Sequence, residues 1–172
     1  MIEIRRLSGT DARQHLRALA EVLLDCVQGG ASVSFMASFS MADAESFFDK
    51  VLDGVERADR MLFAAFGDSK LLGTVQVLTA TPPNQPHRAD IAKLLVHRSA
   101  RGQGVAARLM KHAEEASRLA GKTLLVLDTV TGGDAERLYL RLGWTKAGVI
   151  PNYALFPDGR PCDTTIFWKD LS

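Results

Sequence analysis

Six consecutive residues near the middle of the chain, Arg101 to Ala106, have the composition of a loop that binds a phosphorylated ligand. Gly102 and Gly104 allow the backbone to approach a ligand closely, because neither residue carries a Cβ atom. The first N–H groups of a following helix would point at the same spot, with the positive end of the helix dipole behind them. Arg101 would add a permanent cation. The residues predicted to bind a diphosphate are Arg101, Gly102, Gln103, Gly104, Val105 and Ala106.

The spacing within this loop excludes two common phosphate-binding motifs. The loop lacks the Lys-Ser/Thr pair that ends a Walker loop, and its glycines do not follow the G-x-G-x-x-G pattern of a dinucleotide fold. A surface turn that precedes an amphipathic helix is the alternative interpretation. The elements on either side of the loop decide between the two.

A strand and a helix are predicted around the loop. Residues 90–96 form a run that can be a buried strand, and apolar residues recur at helical spacing after the loop. These apolar residues are Ala106, Leu109, Met110, Ala113 and Ala116. The strand therefore feeds the helix through a glycine-bearing turn, which a phosphate-binding helix N-terminus requires.

The remaining chain predicts further elements in the order βααβββαβαββ. Strands are predicted near residues 2–7, 61–66, 71–78, 88–96, 123–128, 144–150 and 164–168. Helices are predicted near residues 11–27, 41–55, 106–121 and 134–142, the first capped by Thr10 and the second by Ser40 with Asp43. Residues 151–161 contain three prolines and are predicted to form a long, stiff loop. This order describes an α/β protein in which four helices flank both faces of a mixed sheet of about seven strands.

Composition sets limits on partners and location. The 172 residues predict a single domain, 1–172, with 47% hydrophobic and 24% charged residues, as in ordinary globular proteins. The formal net charge of +1 argues against nucleic acid or a membrane as a partner. No signal peptide is recognisable, so a cytoplasmic protein is expected. Cys26 and Cys162 lie far apart and are expected to be reduced, with a disulfide as the less favoured alternative. The four histidines share no spacing with cysteines or carboxylates, so no metal site is predicted.

Two segments resemble the GNAT superfamily of N-acetyltransferases. Arg101 to Ala106 matches R-x-x-G-x-G/A, the coenzyme A pyrophosphate loop of that superfamily. Residues 135–144 resemble A-x-x-L-Y-x-x-x-G-F, whose tyrosine reaches the coenzyme sulfur and corresponds to Tyr139. Gly132 departs from the pattern, because an asparagine is common there. The resemblance implies a GNAT fold, in which the mixed sheet is splayed, together with N-acetyltransferase activity and acetyl-CoA as cosubstrate. A free backbone N–H near Leu95 or Val96, where the two central strands are expected to part, could donate to the attacked carbonyl oxygen. Leu94, Leu95 and Val96 of the same strand are expected to offer backbone hydrogen bonds to the pantetheine amides.

A closer resemblance, over nearly the whole chain, is to the tabtoxin-resistance acetyltransferases, which acetylate the amine of a toxic amino-acid-like β-lactam. It is carried by residues 29–37, 88–96, 127–129 and 148–159. This branch implies two acceptor-side carboxylates, at Asp90 and Asp128, and a catalytic tyrosine at Tyr139. Asp90 is an aspartate where a glutamate can occur, which favours a proton transfer relayed by water.

Two segments are predicted to line the cleft for the acceptor. Residues 29–37 combine small and aromatic residues with few charges, which is unusual for a solvent loop; packing of Phe35 and Met36 on the core is an equal alternative. The proline-rich residues 151–161 are suited to closing a pocket. We expect Ser32, Phe35 and Tyr153 to contact the substrate.

The carboxylates and the tyrosine suit amine acetylation. An alkyl amine with a pKa of ~10.4 is almost wholly protonated at pH 7, and freeing its lone pair costs about 4.6 kcal/mol. Asp90 could take that proton through water, while Asp128 could hold the ammonium group or share the task. Tyr139 could protonate the leaving thiolate, so direct transfer in a ternary complex needs no serine or cysteine nucleophile. The structural alternatives are turn aspartates and a core tyrosine.

The sequence leaves three functions open. The preferred one is a small-molecule amine N-acetyltransferase that uses acetyl-CoA. A protein N-terminal acetyltransferase would need an open groove, against which residues 151–161 argue. A non-catalytic acyl-CoA sensor is disfavoured by the tyrosine and the two carboxylates. The oligomeric state does not follow from the sequence, and a homodimer is left open.

Overall fold

The computed structural model describes residues 1–172 as one seven-stranded sheet with helices on both faces. The strands are β1 (Glu3–Leu7), β2 (Arg60–Gly67), β3 (Lys70–Leu78), β4 (Arg88–Val96), β5 (Leu124–Val130), β6 (Thr145–Leu155) and β7 (Pro161–Asp170). Their order in the sheet is β1-β2-β3-β4-β5-β7-β6. Only β4 and β5 pair in parallel, and every other neighbouring pair is antiparallel. The predicted mixed sheet of seven strands is confirmed.

Five helices flank the sheet where four were predicted. They are α1 (Gly9–Gln14), α2 (Leu16–Gln28), α3 (Met41–Glu56), α4 (Val105–Leu119) and α5 (Asp134–Arg141), with a 3₁₀ turn at Arg98–Ala100. The predicted first helix is broken at His15, whose ring packs on Phe66. Thr10 is not its cap: the Ser8 hydroxyl accepts from the Asp11 N–H, and the Asp11 carboxylate accepts from Ser8 in return. That three-residue spacing forms a capping box, so the helix begins at Gly9. The cap of α3 by Ser40 and Asp43 is confirmed.

Each face of the sheet carries its own core. On one face, Leu109 and Met110 of α4 are fully buried against the sheet. On the other, Leu23 of α2 and Phe48 of α3 are fully buried. Burial of such side chains stabilises the fold by about 1.5–3 kcal/mol each. The two helix layers therefore hold the central strands rigidly from both sides.

The central strands β4 and β5 pair only at their beginnings. Register pairs join Arg88 to Leu124, Ala89 to Leu125 and Asp90 to Val126, and none follows. On its other edge, β4 stays paired with β3 but carries a bulge between Ala92 and Leu95. Lys93 lies in this bulge with a φ of +50°. A wedge therefore opens between β4 and β5 beyond Asp90, as the predicted splay requires.

The prediction of a long loop at residues 151–161 is wrong. β6 continues to Leu155 and β7 begins at Pro161, so only a short turn separates the two strands of a long hairpin. Proline is tolerated where no ladder hydrogen bond is needed. Pro151 lies where the register shifts between Ile150 and Ala154, and Pro161 is the first residue of its strand.

Candidate active site

The loop between β4 and α4 has the backbone geometry of an anion site. Gly102 and Gly104 have φ values of +74° and +76°, and a Cβ atom at either would meet nothing within 4 Å. The left-handed backbone costs other residues about 1–2 kcal/mol, so the conformation itself selects glycine here. Gly104 also offers α4 no side-chain cap. The first N–H groups of α4 are therefore left for a ligand in open space.

Side chains of the loop border this opening. Arg101 is exposed, and its Nε donates to the Val96 carbonyl at 3.4 Å, which keeps the guanidinium beside the end of β4. Gln103 donates from Nε2 to the Ser99 carbonyl at 3.1 Å. Val105 is 1% exposed and anchors the start of α4 in the core, while Ala106 is half-buried.

A carboxylate that sequence reasoning missed ties α2 to the segment before the loop. Asp25 accepts from the Arg98 N–H at 2.8 Å and from the Arg98 Nε at 2.9 Å, and His97 Nε2 lies 3.6 Å away. Burial alone would raise the pKa of Asp25, but the hydrogen bonds from Arg98, with the charges of His97 and Arg98, outweigh it and lower that pKa. No local pattern could reveal this contact, because the partners are 73 residues apart.

The wedge exposes the free edge of β4. Leu95 and Val96 pair with β3 on one side, but β5 does not pair with them on the other. Leu95 is buried toward α2 and α3, while Leu94 and Val96 pack against the core on the α4 side. An extended ligand with amide groups could therefore bind along this edge in the manner of an added strand.

The two predicted carboxylates lie on one face of the sheet at the narrow end of the wedge. Asp90 is in register with Val126, and Asp128 follows two residues later, so both side chains project to the same side. Their neighbours Ile91 and Leu127 belong to the core on the α4 side, which places both aspartates on the opposite, α2–α3 face. The register therefore places the two aspartates on one face of the sheet, and their part in the reaction stays a prediction.

The two carboxylates differ in their partners. Asp90 forms an ion pair with the Arg88 guanidinium, which also donates from Nε to Gln85 Oε1 at 2.8 Å. Asp128 is exposed and has no ion-pair partner within 4.0 Å. Asp90 is therefore held in one orientation, and Asp128 is free to receive a cation.

Tyr139 lies in the core with its hydroxyl unpaired. The side chain is 5% exposed, and its ring packs against Trp144 and Phe167, each at 5.9 Å between centroids. Its hydroxyl makes no hydrogen bond within the chain, yet it is not among the polar atoms sealed from solvent. Burial, and then the charge of Asp128, raise the pKa of Tyr139. The core interpretation thus holds for the ring, while the hydroxyl stays available to a ligand.

Two buried glutamates support this region. Glu114 of α4 accepts from Trp144 Nε1 at 2.8 Å and from Lys169 Nζ at 2.7 Å, which fixes the indole beneath Tyr139. Glu136 of α5 accepts the N–H of Gly132, the residue found where the resemblance expects asparagine. Gly132 has a φ of +78°, so glycine suits this turn, and no side chain is present to reach a ligand.

The segment 29–40 covers the α2–α3 face and is pinned to the β6–β7 hairpin. The Ser32 hydroxyl donates to the Leu155 carbonyl at 2.6 Å, and the Ala37 N–H donates to the Pro157 carbonyl at 3.0 Å. Phe35 stacks on Phe39 at 4.1 Å between centroids and meets Phe47 edge-on. Ser32 therefore holds the segment in place, and Phe35 forms part of an aromatic wall that packs on the α3-side core.

Two further residues bear on the acceptor site, one predicted and one not. Tyr153, which was predicted to contact the substrate, lies in the β6 bulge and is 57% exposed, and its hydroxyl makes no hydrogen bond within the chain. Lys93 was not singled out, although its Nζ reaches Ser34 Oγ at 2.9 Å beside Phe35. The signal that could have found it is a lysine inside the otherwise apolar run from Ile91 to Val96.

Comparison with known proteins decides the family. The family model described as "Acetyltransferase (GNAT) family" matches residues 29–144. The chain belongs to the GNAT acetyltransferase family. None of the helices of this GNAT protein has the length and apolar composition of a membrane span, and the chain contains no group of three or more His, Cys, Asp or Glu side chains that could hold a metal ion.

Solved structures share the fold at low sequence identity. The yncA protein from Salmonella typhimurium, solved with acetyl-CoA, is 16% identical with a TM-score of 0.80, covering 99% of this chain and 94% of its own. A proposed phosphinothricin N-acetyltransferase is 17% identical with a TM-score of 0.82, covering 100% and 99%. The ribosomal-protein-alanine N-acetyltransferase from Brucella melitensis is 19% identical with a TM-score of 0.80, covering 98% and 99%.

GNAT acetyltransferases use acetyl-CoA, and the residues of this chain fit that cosubstrate. Left-handed glycines, an uncapped helix N-terminus and Arg101 suit a pyrophosphate. The free edge of β4 suits an arm that carries amides.

Proposed function

We propose that this GNAT protein transfers the acetyl group of acetyl-CoA to a primary amine of a small molecule, an amino-acid-like compound of the kind that the tabtoxin-resistance branch acetylates. The observation that carries this proposal is the covered acceptor face. Segment 29–40 is fixed to the β6–β7 hairpin by the bonds from Ser32 and Ala37, which closes a route that an extended peptide would need. A compact acceptor fits such a face better than a protein N-terminus does.

Acetyl-CoA supplies an acetyl group activated as a thioester. The residues proposed to bind it are Leu94, Leu95 and Val96 along the strand edge and Arg101, Gly102, Gln103, Gly104, Val105 and Ala106 at the pyrophosphate. Buried Val105 supports the role of the loop, because it fixes the direction in which the first N–H groups of α4 point.

The carboxylates would prepare the acceptor amine. Asp128 has no partner within the chain, so it is suited to holding the substrate ammonium group. Asp90 is oriented by Arg88, so it is suited to accepting a proton through an ordered water. Freeing the lone pair of an amine with a pKa of ~10.4 costs about 4.6 kcal/mol at pH 7, which is why a base is useful.

Tyr139 would hold a proton for the leaving sulfur. Its raised pKa keeps the hydroxyl protonated at neutral pH, although it also makes the phenol a weaker acid. An acyl-enzyme on cysteine is disfavoured, because Cys162 is buried and burial raises the pKa of the buried Cys26 thiol. These properties favour direct attack of the amine in a ternary complex.

A thiol-release assay tests the proposal. Acetyl-CoA is incubated with the protein and either small primary amines, amino acids among them, or peptides with a free N-terminal alanine or serine. We expect thiol release that depends on the small amines and exceeds release with any peptide. Preference for the peptides would favour a protein N-terminal acetyltransferase. Coenzyme binding by calorimetry without release on any acceptor would favour a sensor.

A further inference from the structure

Lys93 occupies an unusual position within the acceptor face. It lies in the β4 bulge with a φ of +50°, and its Nζ donates to Ser34 Oγ at 2.9 Å. Ser34 itself has a φ of +82°. Both partners are non-glycine residues in a backbone conformation that costs about 1–3 kcal/mol each. The fold therefore holds this ammonium group in place against local strain.

The ammonium group has few partners for its charge. Its Nζ lies 5.8 and 5.9 Å from the ring centroids of Phe35 and Phe47, and no carboxylate lies within 4.0 Å. Burial lowers the pKa of Lys93, and the charge of Asp128 offsets this only in part. An ammonium carries three donors, of which the hydroxyl of Ser34 engages one. A partly desolvated cation with open donors gains most from an anion.

We propose that Lys93 binds a carboxylate of the acceptor, so that the substrate is a zwitterion rather than a simple amine. Lys93 shares the α2–α3 face with Asp90 and Asp128, because its contacts Ser34 and Phe35 belong to the segment that covers that face. The carboxylates engage the substrate amine, and Lys93 engages the anion at the other end. This inference rests on the proposed function above and names its substrate class.

A structural role for Lys93 as the counter-ion of Asp128 predicts a different geometry. A salt bridge would bring Nζ within 4.0 Å of the carboxylate, and no such pair is present. The cation instead lies near a hydroxyl and two aromatic rings, and its side chain is only partly buried.

The test compares amino acids with their decarboxylated amines in the thiol-release assay. The probes are matched pairs such as L-phenylalanine with phenethylamine, L-methionine with 3-(methylthio)propylamine, and L-lysine with cadaverine. For wild type we expect kcat/KM to favour the amino acid of an accepted pair. In Lys93→Met, which keeps an unbranched side chain, kcat/KM should fall about 10- to 100-fold for the amino acid and little for the amine. Lys93→Arg should restore part of the preference.

The contradicting outcomes separate the inference from the proposed function. Equal losses for both members of a pair in Lys93→Met, or a wild-type preference for the decarboxylated amines, would overturn the role of Lys93 and leave amine acetylation intact. No amine-dependent thiol release with any probe would overturn the proposed function and the inference with it. Thermal unfolding of Lys93→Met is the control, and a structural ion pair predicts a lowered Tm.

Discussion

The two halves of the candidate site are built in different ways. The coenzyme half consists of one contiguous segment, and apart from the Arg101 guanidinium its recognition groups are backbone N–H and C=O groups, placed in part by left-handed glycines. The acceptor half is assembled from segment 29–40, the bulge of β4, the end of β5 and the β6–β7 hairpin, and its recognition groups are side chains. Backbone recognition tolerates many sequences, whereas side-chain recognition changes with single substitutions. Acceptor specificity can therefore vary while the coenzyme site is kept.

We expect the largest effect from a substitution that disrupts only the coenzyme half of the site. Gly104→Val places a β-branched side chain at a φ of +76° in front of the α4 N–H groups. Loss of two charge-assisted hydrogen bonds, each of about 1.5–3 kcal/mol, weakens acetyl-CoA binding about 10³-fold. Isothermal calorimetry measures the affinity. Gly121→Val is the matched control, because Gly121 has the same φ at the other end of α4; equal affinities of the two variants would remove the loop from the site.

The next largest effect is expected from removal of the Tyr139 hydroxyl, which is proposed to act where the coenzyme and acceptor halves meet. Tyr139→Phe keeps the ring packing and deletes a hydroxyl that has no partner in the chain, so Tm should stay unchanged. We expect kcat to fall about 10²-fold, the low end for general acid catalysis, because the raised pKa makes the phenol a weak acid. Coenzyme affinity should not change. Turnover close to that of wild type would leave Tyr139 as a core residue only.

A smaller effect distinguishes the two carboxylates. Asp90→Asn should lower kcat about 10-fold or more and flatten the acidic limb of the pH–rate profile, because a proton acceptor is lost. Asp128→Asn should mainly raise KM, because a partner of the substrate ammonium is lost. Asp170→Asn is the control, since this strand-end aspartate lies in register with Leu124, at the opposite end of β5 from Asp128. Wild-type kcat and KM for both site variants between pH 6 and 9 would show that neither aspartate acts in the reaction.

The difference between a contiguous coenzyme half and an acceptor half assembled from distant segments also explains which features could be predicted from the sequence. Glycine spacing, helical periodicity and the order of elements were local signals, and they predicted the mixed sheet and the coenzyme loop, whereas the splay of the sheet was predicted from the GNAT resemblance. The hairpin at residues 151–161 was missed, because its prolines occupy a bulge and a strand start that only the register defines. Asp25 and Lys93 were missed because their partners, Arg98 and Ser34, are distant in sequence. The bond from the Ser32 hydroxyl to Leu155 was missed for the same reason, and the assignment of Ser32 to the substrate stays a prediction.

The smallest effect is expected at Asp25 of α2, which holds Arg98 just before the coenzyme loop. Asp25→Asn should lower the free energy of unfolding by about 1–3 kcal/mol at pH 7 through weaker bonds to Arg98. The folded-state pKa of Asp25 lies below its ordinary value, so its contribution is present above the unfolded-state pKa and is lost as pH falls through the folded-state pKa. Urea midpoints at pH 7, 5 and 3 should therefore converge between variant and wild type toward acid. A difference that stays constant with pH would contradict the ionic role.

The separation of the two halves is tested most directly by one calorimetric titration. Acetyl-CoA is titrated into the double variant Asp90→Asn, Asp128→Asn, in which the acceptor carboxylates are neutralised and the loop from Arg101 to Ala106 is intact. We predict a Kd within about twofold of wild type, a difference of about 0.4 kcal/mol, although kcat falls about 10-fold or more and KM for the amine rises. A Kd raised about tenfold or more would contradict the account, because coenzyme binding would then depend on the acceptor side chains.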